Sequence, residues 1–514
     1  VSLRFAVSAE SFFKTMVFND EFRGALPGVL SLTSPNTAAL PARMNSSLAQ
    51  MTLVANDPGS DYELSVRDAS GFVFFNVEGA PWQYDPATRA LALNGGRLIV
   101  SNEFAAELGR GTQAGTVVGT VSVSGRVRPI EVTTIVNSEM QESTLPPTNS
   151  PEAGSRPGPD VVVGDLSGLA QFGSSGTQVG LAVGTDSCNY GTVNLNWFAN
   201  PNNDHPVIPQ NLYRMSGGAD NTQTFEQVGQ SSVKHAFTAL TNNLCGLGCN
   251  GVGGSQLGSG CSDPYGASLN SGPNLGSKAW ISPFTGFFPR NDSATPNNSH
   301  GAHTHNGTSH RILVEQADLN TTLNAGATYF AEAQYVTPHE YAWCQANPTQ
   351  CNMFNNVSYR RYNVSGTTSF TFPTGGFSTV REKVALEGWT GATVVPFRPS
   401  TADGMGYVGY KVTNPSPGVW HYEYAIYNMN LDRAIQSFGI PYGTGVTLSN
   451  VGFHAPPQHP GSAADGTDGN QGFSNTPWSQ TDSVGYVFWG TQDFGVAPNA
   501  NAIRWASTYN IRFD

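Results

Sequence analysis

The sequence predicts a mainly β protein of several units, β-sandwich or jelly-roll in architecture, with an immunoglobulin-like unit at its C-terminal end. Three observations carry this. Charged residues make up 12% of the 514 positions, about half the usual share of roughly 25%, so the Lys and Glu that stock the outer faces of long helices are scarce. Short runs of Val, Thr, Tyr and Phe alternate with polar residues, the period of half-buried strands. Glycine (58) and proline (33) interrupt those runs as turns do in sandwiches and barrels. A chain this long is expected to hold roughly two to four domains.

Residues 1–140 read as the first β-sandwich unit. "YELSVRDASGFVFFNVEG" and "TVVGTVSVSGRVRPIEVTTIV" alternate apolar and polar positions. One short helix is expected at "SNEFAAELG", with Ser101 as N-cap, Glu103 in the first turn and Gly109 as the stop. Residues 141–160 follow as a linker, rich in Pro, Ser and Gly and without apolar period.

Residues 161–380 form a Cys/His-rich β unit with long glycine-rich loops such as "CGLGCNGVGGSQLGSGCSDPYG". Loops of that size in a compact domain are usually functional or pinned by disulfides. Residues 381–514 return to plain alternation in "GYVGYKVTN", "WHYEYAIYNMN" and "IRWASTYNIRF", the pattern of an immunoglobulin-like or fibronectin-like sandwich. Core packing is the reading of the aromatics in "WHYEYAIY", with stacking on sugars as the alternative.

The six cysteines are Cys188, Cys245, Cys249, Cys261, Cys344 and Cys351. Three disulfides are expected, one of them local, between Cys344 and Cys351. The alternative is a zinc site from Cys245, Cys249, Cys261 and Cys188, whose x3 spacing falls in the zinc range but lacks a second close pair. Disulfides imply a secreted or cell-surface protein. The first residue, Val1, fits removal of a signal peptide, as it would fit a trimmed chain. No apolar run of about 18 residues exists to span a bilayer. The net charge of −12 argues against nucleic acid or an anionic membrane as partner.

The chemistry concentrates in "SHGAHTHNGTSHR", where four of the chain's ten histidines fall within thirteen residues. Asn306-Gly307 is a strong hairpin signal. A two-residue turn there sets His303 opposite His310 and projects His303, His305 and His310 to one face, since side chains alternate along a strand. Opposed Cβ atoms lie about 5 Å apart, so three imidazoles can share one ion at about 2.0–2.1 Å. Ile312 and Val314 continue that face inward. A His-rich solvent loop without an ion is the plain alternative. Imidazole ligation suits copper, zinc or iron, and His300 is a weaker fourth donor.

Downstream, "GATYFAEAQYVTPHEYAWCQANPTQCNMFNNVSYRRY" together with the "HTH" run resembles, over roughly 60 residues, the second copper half of the ascorbate-dependent type II copper monooxygenases. That resemblance implies a copper-dependent oxidoreductase with His303 and His305 as ligands. The family's methionine ligand would fall at Gln350, and Met353 is the nearest methionine. No adjacent His-His pair stands in for the family's other copper. Over most of the chain, "GPDVVVGDL", "HPVIPQNLYR", "FEQVGQSSVKHAFTAL" and "NANAIRWASTYNIRF" resemble segments of large uncharacterised secreted bacterial β-rich proteins, which implies fold and location only.

The other candidates are weaker. His235 reads as a core histidine or a ligand. His339 begins an HExxH pattern that fails at Trp343, and stays a distant ligand candidate. His205, His421, His454 and His459 read as structural. "DGTDGN" (465–470) reads as a plain Asp/Gly turn, so calcium is not expected. Asp160, Asp165 and Asp263 are acid–base candidates that nothing pairs in the sequence, and no catalytic residue is assigned. The expectation is therefore a secreted copper-binding protein, an oxidoreductase of monooxygenase type. The alternative is a non-enzymatic extracellular protein for structure, adhesion or glycan binding, with a polysaccharide or an extracellular surface as partner.

Overall fold

The computed structural model of the protein describes residues 3–8, 11–18, 21–33, 51–57, 60–79, 81–127, 134–136, 139–141, 154–199, 202–216, 223–236, 238–270, 278–288, 306–443, 445–458, 473–483 and 485–514. It is mainly β, 45% strand and 9% helix, in several antiparallel sheets.

The first sheet has eight strands and runs from Ala6–Val7 through Gly28–Thr33, Thr52–Ala55, Leu64–Arg67, Val73–Glu78 and Ala90–Val100 to Val117–Arg126, with Trp82–Asp85 paired to Ala90–Val100. Leu53, Ala55, Leu64, Val77 and Leu93 form its buried face. The expected helix is present at Asn102–Glu107, and Ser101 caps it by accepting from Phe104 N, which satisfies one of the open N–H groups of the first turn.

The second sheet, also of eight strands, is the centre of the molecule. Its order is Val161–Ser175, Gln178–Asn189, Ile312–Glu315, Phe225–Gln230, Gln210–Met215, Thr328–Gln334 and Val357–Tyr362, with Ser262–Tyr265 added beside Gln178–Asn189. Gln178–Asn189 is buried on both faces after its first residue, so it reads as a nearly continuous apolar and small-residue run. The outer strands bend toward each other until side chains bridge them. Ser358 Oγ donates to Val163 O at 2.7 Å, and Arg360 Nη1 and Tyr362 Oη both donate to Leu166 O at 2.8 Å.

The C-terminal sandwich stacks a five-stranded sheet (Thr393–Phe397, Gly406–Ser416, Val419–Asn428, Ser507–Phe513, Gly452–His454) on a three-stranded one (Ser437–Pro441, Tyr486–Gly490, Ser479–Ser483). Ile426, Val487, Trp489, Tyr509 and Phe513 fill the space between them. The run "WHYEYAIY" splits by position: Tyr427 and Ile426 are buried, while Trp420 is 53% exposed.

Residues on both sides of position 380 share one core. Tyr213, Phe225 and Phe330 of the central sheet pack with Val384, Leu386 and Trp389, and with Ala425, Tyr427 and Met429 of the sandwich. At its middle, the buried Glu332 accepts from Asn211 Nδ2 (3.0 Å), Tyr213 Oη (3.2 Å), Tyr427 Oη (2.9 Å) and Ala385 N (2.7 Å).

All six cysteines are paired, as Cys188–Cys245, Cys249–Cys261 and Cys344–Cys351. The local bridge is as expected, with Cα atoms 4.5 Å apart. The zinc alternative is thereby corrected, because the four sulfurs it needed are consumed in two disulfides. Gly164 lies directly beneath the first of these. A Cβ there would stand 2.3 Å from Cys245 Sγ and 2.4 Å from Cys188 Sγ, so only glycine lets the strand pass under the bridge.

Candidate functional site

His303 and His305, with His300, lie outside the described residues, as do His459 and the "DGTDGN" run. His310 is described, and its setting corrects the hairpin expectation. Asn306 does not open a two-residue turn between strands. Its Oδ1 accepts from Thr308 N and Thr308 Oγ1, both at 2.8 Å, and its N–H donates to Ser309 Oγ at 2.9 Å. Residues 307–310 are turn, and the strand starts only at Ile312. His310 is fully buried with φ +64°, so it breaks the alternation on which the one-face argument depended. The physical reason is the Asn306 side chain. It supplies a local hydrogen-bonded turn that competes with the ladder, and Gly307 packs against the backbone of Gly173 and Ser174.

The other two proposed ligands stand elsewhere. His339 opens the helix Pro338–Ala346, which Thr337 caps. Its Nδ1 accepts from Asn196 N at 3.1 Å. A neutral imidazole that accepts at Nδ1 carries its proton on Nε2, so neither nitrogen is disposed toward an ion. Met353 is buried beside Cys344 and Phe284, with Tyr341 and Cys351 around them, as a filler of irregular apolar space.

Two histidines that the sequence leaves as structural or as a weak ligand are brought together instead. Val207–Ile208 pairs with Lys234–His235, Val207 opposite His235. That pairing stacks the rings of His205 and His235 with centroids 5.5 Å apart and planes 7° from parallel. Both residues are buried, at 1% and 2% exposure. Phe288 lies edge-on to His235 at 4.5 Å and to His205 at 6.3 Å. Ser232, in the same segment as His235, donates through Oγ to His310 O at 3.1 Å.

The protonation of His205 is set by its surroundings. Its Nδ1 lies 2.8 Å from Asn202 O, and a carbonyl only accepts, so Nδ1 holds the proton and Nε2 holds the lone pair. Burial lowers its pKa to about 4, against the pull of the Asn202 and Phe198 carbonyls. The ring is neutral at neutral pH. Next to this pair, Lys234 is fully buried and its Nζ donates to Ser231 Oγ at 2.8 Å. Burial, with the charges of Lys278 and Arg311, holds its pKa well below the usual lysine range.

No family model, no curated protein and no solved structure matches the chain. Among the described residues, no group of three or more His, Cys, Asp and Glu side chains is gathered closely enough to hold an ion.

The acid–base candidates are also placed. Asp160 is tied to Arg156 at 3.1 Å. Asp165 accepts from Arg360 at 3.3 Å and from Thr379, and Asp263 accepts from Leu240 N at 2.9 Å. The carboxyl that stands apart is Asp186, opposite Asp165 across the ladder. It lines a cavity of about 110 Å³ between the first sheet and the central one, together with Tyr62, Glu63, Trp82 and Ser167. Burial, then the charges of Asp165 and Asp263, push its pKa up to about 7. Nothing in the sequence marks Asp186, because strand pairing alone brings the three aspartates together.

This fixes a pH dependence. A carboxyl whose pKa is raised by folding contributes stability that is complete below about pH 4 and is lost as the pH rises through 7. Asp186→Asn is therefore expected to stabilise the protein by roughly 1–3 kcal/mol at pH 8 and to have little effect at pH 4.5. Urea unfolding at the two pH values checks this, and an effect of equal size at both would show that the charge of Asp186 is not the cause.

Proposed function

We propose that this is an extracellular protein that binds a transition-metal ion, copper in the first place, with His205 and His235 as ligands. The observation that carries the reading is the hydrogen bond from His205 Nδ1–H to Asn202 O. Metal-bound histidines are commonly oriented in this way by a carbonyl on the far nitrogen, which fixes the tautomer and aims the lone pair. The two rings stand near each other, with centroids 5.5 Å apart, and a shared ion requires them to turn out of their parallel stacking so that both in-plane lone pairs point to it. Imidazole nitrogen donors suit copper or zinc better than calcium or magnesium. Three disulfides are consistent with an oxidising compartment. Among the described residues, no helix is long and apolar enough to cross a membrane.

An oxidoreductase of monooxygenase type rests on the separate "HTH" resemblance, whose ligands His303 and His305 lie outside the described residues, and not on the His205 and His235 pair. The test is direct. Protein purified without a chelating tag is loaded with Cu(II) or Zn(II), desalted and analysed for metal, with electron paramagnetic resonance on the copper form. One bound equivalent with nitrogen hyperfine structure is expected, reduced to background in His205→Ala/His235→Ala while circular dichroism stays unchanged. Wild-type protein that remains metal-free ends the reading. A His303→Ala/His305→Ala variant that loses the ion while the His205/His235 variant keeps it would move the site to the loop.

A further inference from the structure

A groove of about 780 Å³ runs between the 278–285 segment and the loops at one end of the C-terminal sandwich. That volume falls within the range of roughly 300–1,000 Å³ typical of small-ligand sites. Its floor includes Ile281 and Trp505, which belong to the same buried cluster as Phe288 and Val207, and Trp505 is fixed by Nε1 donating to Gln334 Oε1 at 2.9 Å.

The walls display charged, amide and aromatic groups. Arg433 forms an ion pair with Asp403, Nε lying 2.6 Å from Oδ2, yet its side chain is 71% exposed. Arg433 lines the groove while paired with Asp403. Arg504 lies 3.7 Å above the Phe473 ring, with Nη1 and Nη2 donating to Ala500 O and Pro498 O. Gln492 is an exposed amide on the wall, and Phe494 presents a ring that is 79% exposed. Single exposed apolar residues are ordinary. A ring on the wall of a groove, next to planar polar groups, is the arrangement that grips a ligand with both apolar faces and polar edges.

Charge narrows the choice. In a chain of net charge −12, this groove is lined by Lys278, Arg433 and Arg504 against Asp403 and Asp432, and Asp403 is already engaged by Arg433. Three cations against two carboxylates leave the balance cationic, and the largely exposed Arg433 guanidinium is suited to a carboxylate. Backbone geometry narrows it further. The wall residues Gln436 and Gln492 lie just beyond the ends of strands Ser437–Pro441 and Tyr486–Gly490, so the groove meets strand ends rather than a strand edge. A peptide could not add itself there as a further strand. Recognition has to come from side chains, which favours a rigid ligand with ring faces.

We propose that this groove binds an acidic oligosaccharide, one whose sugar rings carry carboxylates. Arg433 takes a carboxylate, Gln492 takes ring hydroxyls, and Phe494 covers the C–H face of a sugar. The site is independent of any metal at His205 and His235.

The test is calorimetric titration of the full chain with oligogalacturonate, with cellohexaose and a poly-glutamate peptide as comparisons. Oligogalacturonate alone is expected to bind. Its affinity should fall about tenfold in Arg433→Ala and about threefold to tenfold in Phe494→Ala, and it should weaken in 0.5 M salt as screened charges do. Phe494→Ala changes an exposed ring and keeps the test valid should Arg433→Ala disturb Asp403. No binding of oligogalacturonate overturns the proposal. Equal binding of cellohexaose overturns the acidic part, and equal binding of poly-glutamate shows that charge alone, or a peptide, is what the groove reads.

Discussion

Replacing Glu332 with Ala is expected to cost about 4–6 kcal/mol of stability, the largest effect of any single substitution argued from this structure. The carboxyl is 1% exposed and accepts from Asn211, Tyr213, Tyr427 and Ala385 N. Burial outweighs those four donors and raises its pKa. Removing the side chain leaves donors from three chain segments facing an empty volume without an acceptor, and each orphaned donor costs about 1–3 kcal/mol. The losses do not add fully, because Tyr213 can still turn to Thr508 Oγ1 at 3.2 Å. Glu332→Gln should cost less, about 2 kcal/mol, since it keeps one acceptor and sets its NH2 group against a remaining donor. Guanidinium unfolding measures both. A loss below about 1 kcal/mol in Glu332→Ala would mean that water restores these bonds and that the carboxyl does not hold the two sheets together.

The second large effect concerns the disulfides, and it discriminates between them. The Cys188–Cys245 bridge spans 57 residues and Cys344–Cys351 spans 7. Loop-closure entropy in the unfolded chain then assigns about 4 kcal/mol to the first and about 2 kcal/mol to the second. Cys188→Ala/Cys245→Ala is expected to lower the unfolding midpoint about twice as far as Cys344→Ala/Cys351→Ala under non-reducing conditions. The long bridge also joins a fully buried strand position to a glycine-rich loop that Cys249–Cys261 pins further along. Equal losses from the two double variants would place the stabilisation in native contacts rather than in the unfolded chain.

Where local rules decide, the sequence was readable. Alternation in "TVVGTVSVSGR" gave a strand with alternating burial at Val117–Arg126. Ser101 and Glu103 marked a helix start, and the spacing of Cys344 and Cys351 allowed their bridge. Where partners come from afar, it was not. His205 and His235 are 30 residues apart in a chain with ten histidines, and only the pairing of Val207 with His235 stacks them. Asp186 is one aspartate between Thr185 and Ser187 until Asp165 and Asp263 arrive from two other strands. The Asn306-Gly307 signal failed for a local reason, since the same Asn side chain that favours a hairpin turn also closes a turn upon itself. The core shared across position 380 was hidden because its residues sit on strands that each look complete alone.

The bridging of the central sheet's outer strands bears on how this protein survives at high concentration. An outer strand normally offers a row of open N–H and C=O groups on which another chain can build. Along Val161–Leu166 that row is already engaged. Val161 N donates to Glu340, Val163 O takes Ser358 Oγ, Gly164 O takes Arg381 Nε, and Leu166 uses its N–H on Thr379 and its carbonyl on Arg360 and Tyr362. No template is left on this stretch for intermolecular strand growth. On this stretch the chain's own side chains take the place that a neighbouring strand would otherwise fill.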